Sequence, residues 1–487
     1  MKKFVQNIVH LVTNQLIILL CSPGILIFFI LQASPCVASD RYKDTSVSAT
    51  IQAQLDQPYK GLYYPVSVES FYKQNGFKLA WIAPDTIKTH ASGAMLLLDC
   101  VLQYGLNHSD YHPNELLYET LHTLTAKFGK VSNAQKAHFD ILLTDAMITL
   151  VNNLHYGKLN PDYPPGKTDG NSISGFNAER ILADALSQKS ISAAILKVQP
   201  KSKEYADLQY HMYLLTGLYQ GDCYEIPERD IRLMAINMER LRWAAIEDST
   251  YIQVNIPSFT LQFYQPNAIN TFKIVVGKPQ TPTPTMNSAI TYFTTAPDVK
   301  IKQEVFENQL LPNAVNNANY LKNNHVAIYD KKGNYIVINP ASLAQITKNP
   351  EKYFARHASG CDKALGDLVF HFPNPFDVDL HDMPNADFFK QEERDLSSGC
   401  VWVANAQKLG NLLLENDGRK SEISTFNKAV LNYQRKTFLL KKPIPIEITY
   451  LTCQVIEGEL ITYKDIYNLD NSLEMALYNT GKRFVMR

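Results

Sequence analysis

The first half of the chain carries hydrophobic residues at helical spacing. One example is the run that contains Ile141, Leu142, Met147, Ile148 and Val151, where apolar side chains return every three or four positions. Similar patterns extend from about residue 46 to residue 243, and Gly and Pro residues interrupt them where helices would end. This region is therefore predicted to be mainly helical.

The hydrophobic period changes near residue 250. Apolar and polar side chains alternate at 251–256 and at 259–264, and the run at 272–277 supplies a third strand. Such alternation is typical of half-buried strands, and short strands in quick succession predict an antiparallel sheet or sandwich. Further strands are expected at 367–372 and 446–450, and further helices at 405–415 and 423–433.

A polar stretch rich in Asn and Lys interrupts this β region at about 303–363, which predicts a capping subdomain inserted into it. With 487 residues, the chain exceeds what one hydrophobic core usually organises. The sequence therefore predicts an α+β protein with a helical scaffold domain at 40–245 and a mainly β domain, carrying the cap, at 250–487.

The N-terminal 39 residues differ from the rest of the chain. Lys2 and Lys3 precede an uncharged segment at 16–31, and small residues follow at Cys36 and Ala38. This order is typical of a Sec signal peptide cleaved after Ala38, with an uncleaved membrane anchor as the alternative. Either interpretation of residues 1–39 predicts that the remainder is exported.

Charge and cysteine content indicate which partners and which reactive groups to expect. The 47 basic and 47 acidic residues balance, and no long basic stripe is present, so nucleic acid is not expected as a partner. Cys21 and Cys36 belong to the leader, which leaves five of the seven cysteines in the exported part. An odd number in an oxidising compartment leaves at least one thiol unpaired or paired between chains, and such a thiol is a functional candidate.

Cys400 is the strongest candidate for a nucleophile. It follows Ser397, Ser398 and Gly399, which are small enough to let a substrate approach the backbone. Gly399 also permits a strained turn that presents the sulfur together with amide N–H groups, which an oxyanion intermediate needs. A catalytic thiol requires a base, and His381 lies 19 positions earlier.

The residues alone leave two alternatives to this cysteine–histidine pair. His381 could be a hydrogen-bonded structural residue. Cys361, His371, His381 and Cys400 could instead bind zinc, although their spacing matches no common zinc pattern. Cys361 leaves two further alternatives open: a solvent-facing or buried free thiol, which is preferred because nothing in the sequence fixes its distance from Cys400, or a disulfide to Cys400 that would inactivate the nucleophile.

The segment around His381 and Cys400 resembles the L,D-transpeptidase signature, in particular that of the large periplasmic YcbB-like enzymes with a YkuD-type catalytic domain. The resemblance extends from about residue 67 to residue 470. It rests on Leu380-His381-Asp382-Met383-Pro384-Asn385, Phe388-Phe389-Lys390, Leu396-Ser397-Ser398-Gly399-Cys400-Val401, Phe372-Pro373-Asn374 and Ala364-Leu365-Gly366.

The resemblance implies acyl transfer on peptidoglycan stem peptides in the periplasm of a Gram-negative bacterium. Cys400 would attack a tetrapeptide donor to give a thioester, which an amine of a second stem would resolve into a 3→3 cross-link. His381 would be the base, and the N–H groups of Gly399 and Cys400 would form the oxyanion hole, shaped by Ser397 and Ser398. Penicillin-binding synthases would be partners and carbapenems covalent inhibitors, and no metal or organic cofactor is implied.

The chain also departs from the family pattern. Trp402 stands two positions after Cys400, where relatives carry Arg, and a peptidoglycan-binding module usual between Gly217 and Ile231 is not evident. Trp402, Asp382 and Asn374 are candidate modulators of the site. A catalytically impaired cell-wall-binding homologue and an L,D-carboxypeptidase therefore stay open as alternative functions.

Overall fold

The computed structural model describes residues 46–56, 61–84, 88–218, 228–243, 246, 248–297, 299–317, 319–324, 326–357, 366–383 and 385–478. The predicted leader, Cys223 and Cys361 lie outside these ranges, as does most of the segment where the extra module is not evident. Within the described ranges, no helix is both long and apolar enough to cross a bilayer.

The first half of the described chain is helical, as predicted. Its α-helices are α1 (Val47–Leu55), α2 (Pro65–Gln74), α3 (Lys88–Asp99), α4 (Tyr118–Ala126), α5 (Asn133–Tyr156), α6 (Pro165–Thr168), α7 (Ala178–Leu186), α8 (Ile191–Ile195), α9 (Lys203–Leu218) and α10 (Arg229–Trp243).

Helix α5 forms the centre of the scaffold core. Ser132 and Gln135 begin it with a capping box, in which each side chain bonds the other residue's backbone N–H. Asp140 lies fully buried in this helix and accepts the N–H groups of Ala80 at 2.7 Å and Trp81 at 3.0 Å. These bonds tie the α2–α3 connection to α5. Burial nevertheless raises the pKa of Asp140 to about 6.

The second half contains the strands β1 (Tyr251–Asn255), β2 (Thr260–Gln265), β3 (Ala268–Gly277), β4 (Met286–Thr295), β5 (Val299–Lys300), β6 (Val326–Asp330), β7 (Tyr353–His357), β8 (Leu368–His371), β9 (Leu380–His381), β10 (Asp395–Ser397), β11 (Val401–Val403), β12 (Lys436–Thr449), β13 (Cys453–Ile456) and β14 (Glu459–Thr462). The helices of this half are α11 (Gln303–Val305), α12 (Leu311–Asn316), α13 (Tyr320–Asn323), α14 (Pro340–Lys348), α15 (Ala406–Asn416), α16 (Ile423–Leu431) and α17 (Asp470–Tyr478).

Nine strands form one sheet in the order β10-β3-β11-β9-β8-β4-β12-β1-β2, and an additional β2–β3 pairing closes it on itself. Alternate residues such as Ile252, Val254, Ile446 and Ile448 fill its interior. We call this closed sheet the barrel. The expectation of an antiparallel sheet or sandwich was wrong, because β1–β12, β9–β11 and β3–β10 pair in parallel. Parallel neighbours need long connections, and local alternation along one strand carries no information about them.

The predicted cap corresponds to a separate three-stranded sheet in the order β5-β7-β6, accompanied by α11 to α14. Its composition is polar, but it has a hydrophobic core of its own, which includes Phe306, Leu311, Ile328 and Ile346. The expected boundary at residue 363 lies outside the described residues, and the other domain boundaries stay predictions.

Helix α10 joins the scaffold to the C-terminal part of the chain. The amide oxygen of Asn237 accepts the Thr452 N–H at 2.8 Å, and its amide nitrogen donates to the Thr452 hydroxyl at 3.0 Å. Arg240 pairs with Asp470 at 2.6 Å. These buried contacts fix the scaffold against the residues that follow β12.

Candidate active site

The two predicted catalytic residues lie on neighbouring parallel strands, β9 and β11. Val401 pairs with Leu380, and Trp402 pairs with His381. Val401 and Leu380 point into the barrel core, so Cys400, Trp402 and His381 belong to its outer face. Cys400 is fully buried and His381 is 6 % exposed. The fold therefore brings a thiol and an imidazole to one shielded face.

The orientation of His381 is fixed through its neighbour's backbone. Its Nδ1 lies 3.0 Å from the carbonyl oxygen of Asp382, so Nδ1 carries the proton and Nε2 is the basic nitrogen of the neutral ring. The Asp382 carboxylate accepts the N–H of Leu368 at 2.9 Å. Asp382 thus orients the imidazole by its carbonyl group and holds β8 by its side chain.

Ser397 closes the loop before Cys400. Its hydroxyl donates to the Cys400 carbonyl at 2.6 Å and accepts the Gly399 N–H at 3.1 Å. Gly399 has φ 123°, a conformation that L side chains rarely adopt. Ser397 is buried whereas Ser398 is exposed, so the two serines differ in role. The Gly399 N–H, which was expected to serve the oxyanion hole, is engaged with Ser397 here.

Thr283 and Tyr467 stabilise the same loop from other parts of the chain. Neither residue was predicted from the sequence. The Thr283 hydroxyl donates to the Gly399 carbonyl at 2.8 Å and accepts the Gly277 N–H at 2.8 Å. The Tyr467 hydroxyl donates to the Gly277 carbonyl at 2.6 Å. Burial raises the pKa of Tyr467, which keeps this donor protonated. A Cβ on Gly277 would overlap the Thr281 carbonyl oxygen, so the approach is possible only for glycine.

One signal for Thr283 was present in the sequence. Thr281-Pro282-Thr283-Pro284 lies in the loop between two strands, and its two prolines remove backbone donors from that loop. The Thr283 hydroxyl lies between these prolines and can make hydrogen bonds that the proline nitrogens cannot. No local pattern marked Tyr467, because its partner Gly277 is 190 positions away.

Asn374 shapes the loop that leads into β9. Its side chain donates to the carbonyls of Phe372 and Val378 and accepts the N–H of Val378 at 3.0 Å. This clamp precedes Asp379, whose N–H donates to the Cys400 sulfur at 3.3 Å. An N–H directed at sulfur stabilises negative charge there, so Asn374 supports the nucleophile through the backbone.

Trp402 fills the outer face beside the histidine. It is 7 % exposed and packs against Val275 and Phe389. Its ring centroid lies 5.2 Å from that of Phe388 and 6.4 Å from that of His381. A large apolar side chain thus packs beside the imidazole.

The sulfur of Cys400 is in a disulfide in this structure. Its partner is not among the described residues, in which Cys100 and Cys453 are both free thiols. Burial raises the pKa of Cys453 to about 12 and also raises that of Cys100, which is half-buried. These two thiols therefore stay protonated and unreactive, and Cys400 must be reduced before it can act.

The zinc alternative finds little support among the described residues. Within them, no group of three His, Cys, Asp or Glu side chains converges in a way that could hold a metal. His371 instead pairs with Asp379 at 3.1 Å and stacks on Tyr292. The zinc proposal also included Cys361, which lies outside the described residues.

Two family models match the chain. Residues 66–212 match the Scaffold domain, and residues 249–423 match the L,D-transpeptidase catalytic domain, also named YkuD. Residues 249–423 form an L,D-transpeptidase catalytic domain. This domain contains His381 and Cys400, and the scaffold match coincides with the helical half. The family resemblance and the α+β fold class drawn from the sequence are thereby confirmed.

A relative agrees with this assignment. The Haemophilus influenzae protein named "Putative L,D-transpeptidase" is 32 % identical over 250 residues, which cover 50 % of this chain and 50 % of that protein. The chain thus matches about half the length of this curated relative.

Proposed function

We propose that the chain is an exported peptidoglycan L,D-transpeptidase that forms 3→3 cross-links through a thioester on Cys400. The observation that supports this most directly is the register of β9 and β11 in the L,D-transpeptidase domain. It sets Cys400 and His381 on one outer face, with the imidazole held in the tautomer that has a basic Nε2. A thiol beside an oriented base is the arrangement that nucleophilic acyl transfer needs.

The reaction begins once a dithiol reductant has exchanged with the disulfide and released the Cys400 thiol. His381 takes the thiol proton, and the sulfur attacks the carbonyl of the third residue of a tetrapeptide. The oxyanion intermediate collapses, and the terminal D-Ala leaves with the proton from His381. A side-chain amine of a second stem then attacks the thioester, which forms the cross-link and returns the thiol.

The loop contacts assign the supporting roles. The Asp379 N–H stabilises the thiolate, and Ser397 and Thr283 hold the turn that carries the Gly399 and Cys400 amides. Because the Gly399 N–H donates to Ser397, the Cys400 N–H is the principal oxyanion donor in this proposal. Trp402 excludes water from His381, a role that an Arg would not fill.

The test is incubation of the purified, reduced chain with disaccharide-tetrapeptide, followed by mass spectrometry of the products. A cross-linked dimer together with free D-Ala, both lost in Cys400→Ala, is the expected result. D-Ala release without dimer would assign L,D-carboxypeptidase activity instead. No product and no carbapenem adduct on Cys400 would contradict the proposal and favour a cell-wall-binding protein without turnover.

A further inference from the structure

A cavity of about 230 Å³ lies between the scaffold and the barrel, away from the active site. Its walls come from the end of α5, the turn at Leu196–Val198 and the strands β1 and β12. In the closed sheet, three strands separate β12 from β11 in either direction. The cavity and Cys400 therefore lie on opposite sides of the barrel, and the cavity is not part of the acyl-transfer site.

The cavity combines an aromatic wall with two buried polar side chains. The rings of His155 and Phe176 stack with centroids 3.7 Å apart, and Leu241 adds an aliphatic surface. Glu447 and Gln253 are 3 % and 2 % exposed and line the same space. They face outward because their neighbours in β1 and β12 fill the barrel core.

Buried acceptor oxygens at this place lack a donor among the described residues. Two belong to residues that line the cavity, Oε1 of Glu447 and Oε1 of Gln253, and a third is Oε2 of Glu204, a residue at the start of α9 whose charge acts on Glu447. The other Glu204 oxygen accepts the Tyr264 hydroxyl. Leaving such groups unsatisfied is unfavourable, and more so for a charged group than for a neutral one. A fold seldom keeps several unless something satisfies them.

Glu447 is strongly perturbed by this environment. Burial first, and then the charge of Glu204, raise the pKa of Glu447 to about 8, while the Gln253 amide opposes the shift. The Glu447 carboxyl is therefore mostly protonated at neutral pH without a ligand, and a cation bound beside it would favour its carboxylate form. Lys197 and Lys201 also line the cavity, and both are solvent-exposed, so positive charge stands at its mouth.

We propose that this cavity binds a small ligand with one primary ammonium group on an apolar body. An ammonium offers N–H donors and one positive charge, which suit the unsatisfied oxygens of Glu447 and Gln253 and favour the carboxylate form of Glu447. The apolar body would lie along Phe176 and Leu241. The volume corresponds to about eight waters at roughly 30 Å³ each, which suits a ligand of benzylamine size. The lysines at the mouth disfavour a second positive charge.

Calorimetric titration of the full chain with benzylamine, in amine-free phosphate buffer, tests the proposal. Benzyl alcohol has the same shape without the charge, and 1,5-diaminopentane carries two charges. Benzylamine is expected to bind saturably, and both comparison ligands at least tenfold more weakly. Equal binding of benzylamine and benzyl alcohol, or no heat above dilution, would overturn the proposal and leave a cavity that holds water only.

Variants locate the site. Glu447→Gln is expected to weaken benzylamine at least tenfold and to leave benzyl alcohol unchanged, whereas Glu459→Gln, at an exposed position on β14, should change neither. An unaltered benzylamine affinity in Glu447→Gln would also overturn the proposal. If that variant does not fold, Phe176→Leu provides the test, because it should weaken both ligands. Cys400 is not involved, so these results are independent of the proposed transpeptidase reaction.

Discussion

Replacing Glu447 with Gln is expected to stabilise the protein increasingly between about pH 5 and pH 8. The carboxyl is fully buried in the folded chain, where burial and Glu204 raise its pKa from 4.5 to about 8. Between these values the unfolded chain has lost the proton and the folded chain retains it. The folded state then binds one more proton, so its stability falls as the pH rises.

The magnitude follows from the size of that shift. Each pKa unit corresponds to about 1.4 kcal/mol, so a shift from 4.5 to about 8 lowers the free energy of unfolding by about 5 kcal/mol across the window. Glutamine does not titrate and keeps a polar group of the same size. The difference between Glu447→Gln and the natural protein should therefore be smallest near pH 5 and largest near pH 8.

Urea denaturation of both proteins at pH 5, 6, 7 and 8, in amine-free buffers, measures this difference directly. All other titrating groups are common to the two chains, so the subtraction isolates Glu447. Glu459→Gln, exposed on β14, is the matched control and should give curves parallel to the natural protein. A stability difference for Glu447→Gln that does not change with pH would refute the reasoning.

Three predictions concern the active site. Transpeptidase activity should be absent from protein kept oxidised and appear with dithiothreitol, as followed by D-Ala release; full activity without reductant would contradict the disulfide of Cys400. In reduced protein, Ser397→Ala should lower kcat about 10- to 100-fold, because loss of this hydroxyl destabilises the turn by about 1–3 kcal/mol in total, whereas exposed Ser398→Ala should stay within about twofold. Thr283→Val keeps the shape of the side chain but removes the hydroxyl, so it should lower kcat by a similar factor with little change in KM. If kcat and KM change by equal factors, the loop would instead serve substrate binding.

The sequence was sufficient for the local parts of this structure. Alternation placed β1, β2 and the end of β3 nearly to the residue, and helical spacing identified the scaffold, because both patterns depend on neighbours along the chain. The catalytic pair was also predicted from the sequence, since a run of 20 residues from His381 to Cys400 carries both functional groups.

What the sequence did not reveal depends on distant contacts. The Thr283 hydroxyl donates to the Gly399 carbonyl, 116 positions later in the chain. Strand β1 pairs in parallel with β12, which lies near the end of the chain. The difference between Ser397 and Ser398 depends on which of two identical side chains turns inward, and only the turn at Gly399 decides that. The cavity beside Glu447 likewise requires β1 and β12 to be side by side.

The position of β12 has a consequence for how the chain is made. This strand fills the gap between β4 and β1, so residues 251–295 cannot complete their pairing until residues 436–449 have been synthesised. During translation the earlier strands keep open edges, and the nucleophile loop between β10 and β11 lacks a finished sheet beneath it. A ribosome stalled before Lys436 would therefore release a fragment with open strand edges, which is expected to aggregate rather than to act as a weak enzyme.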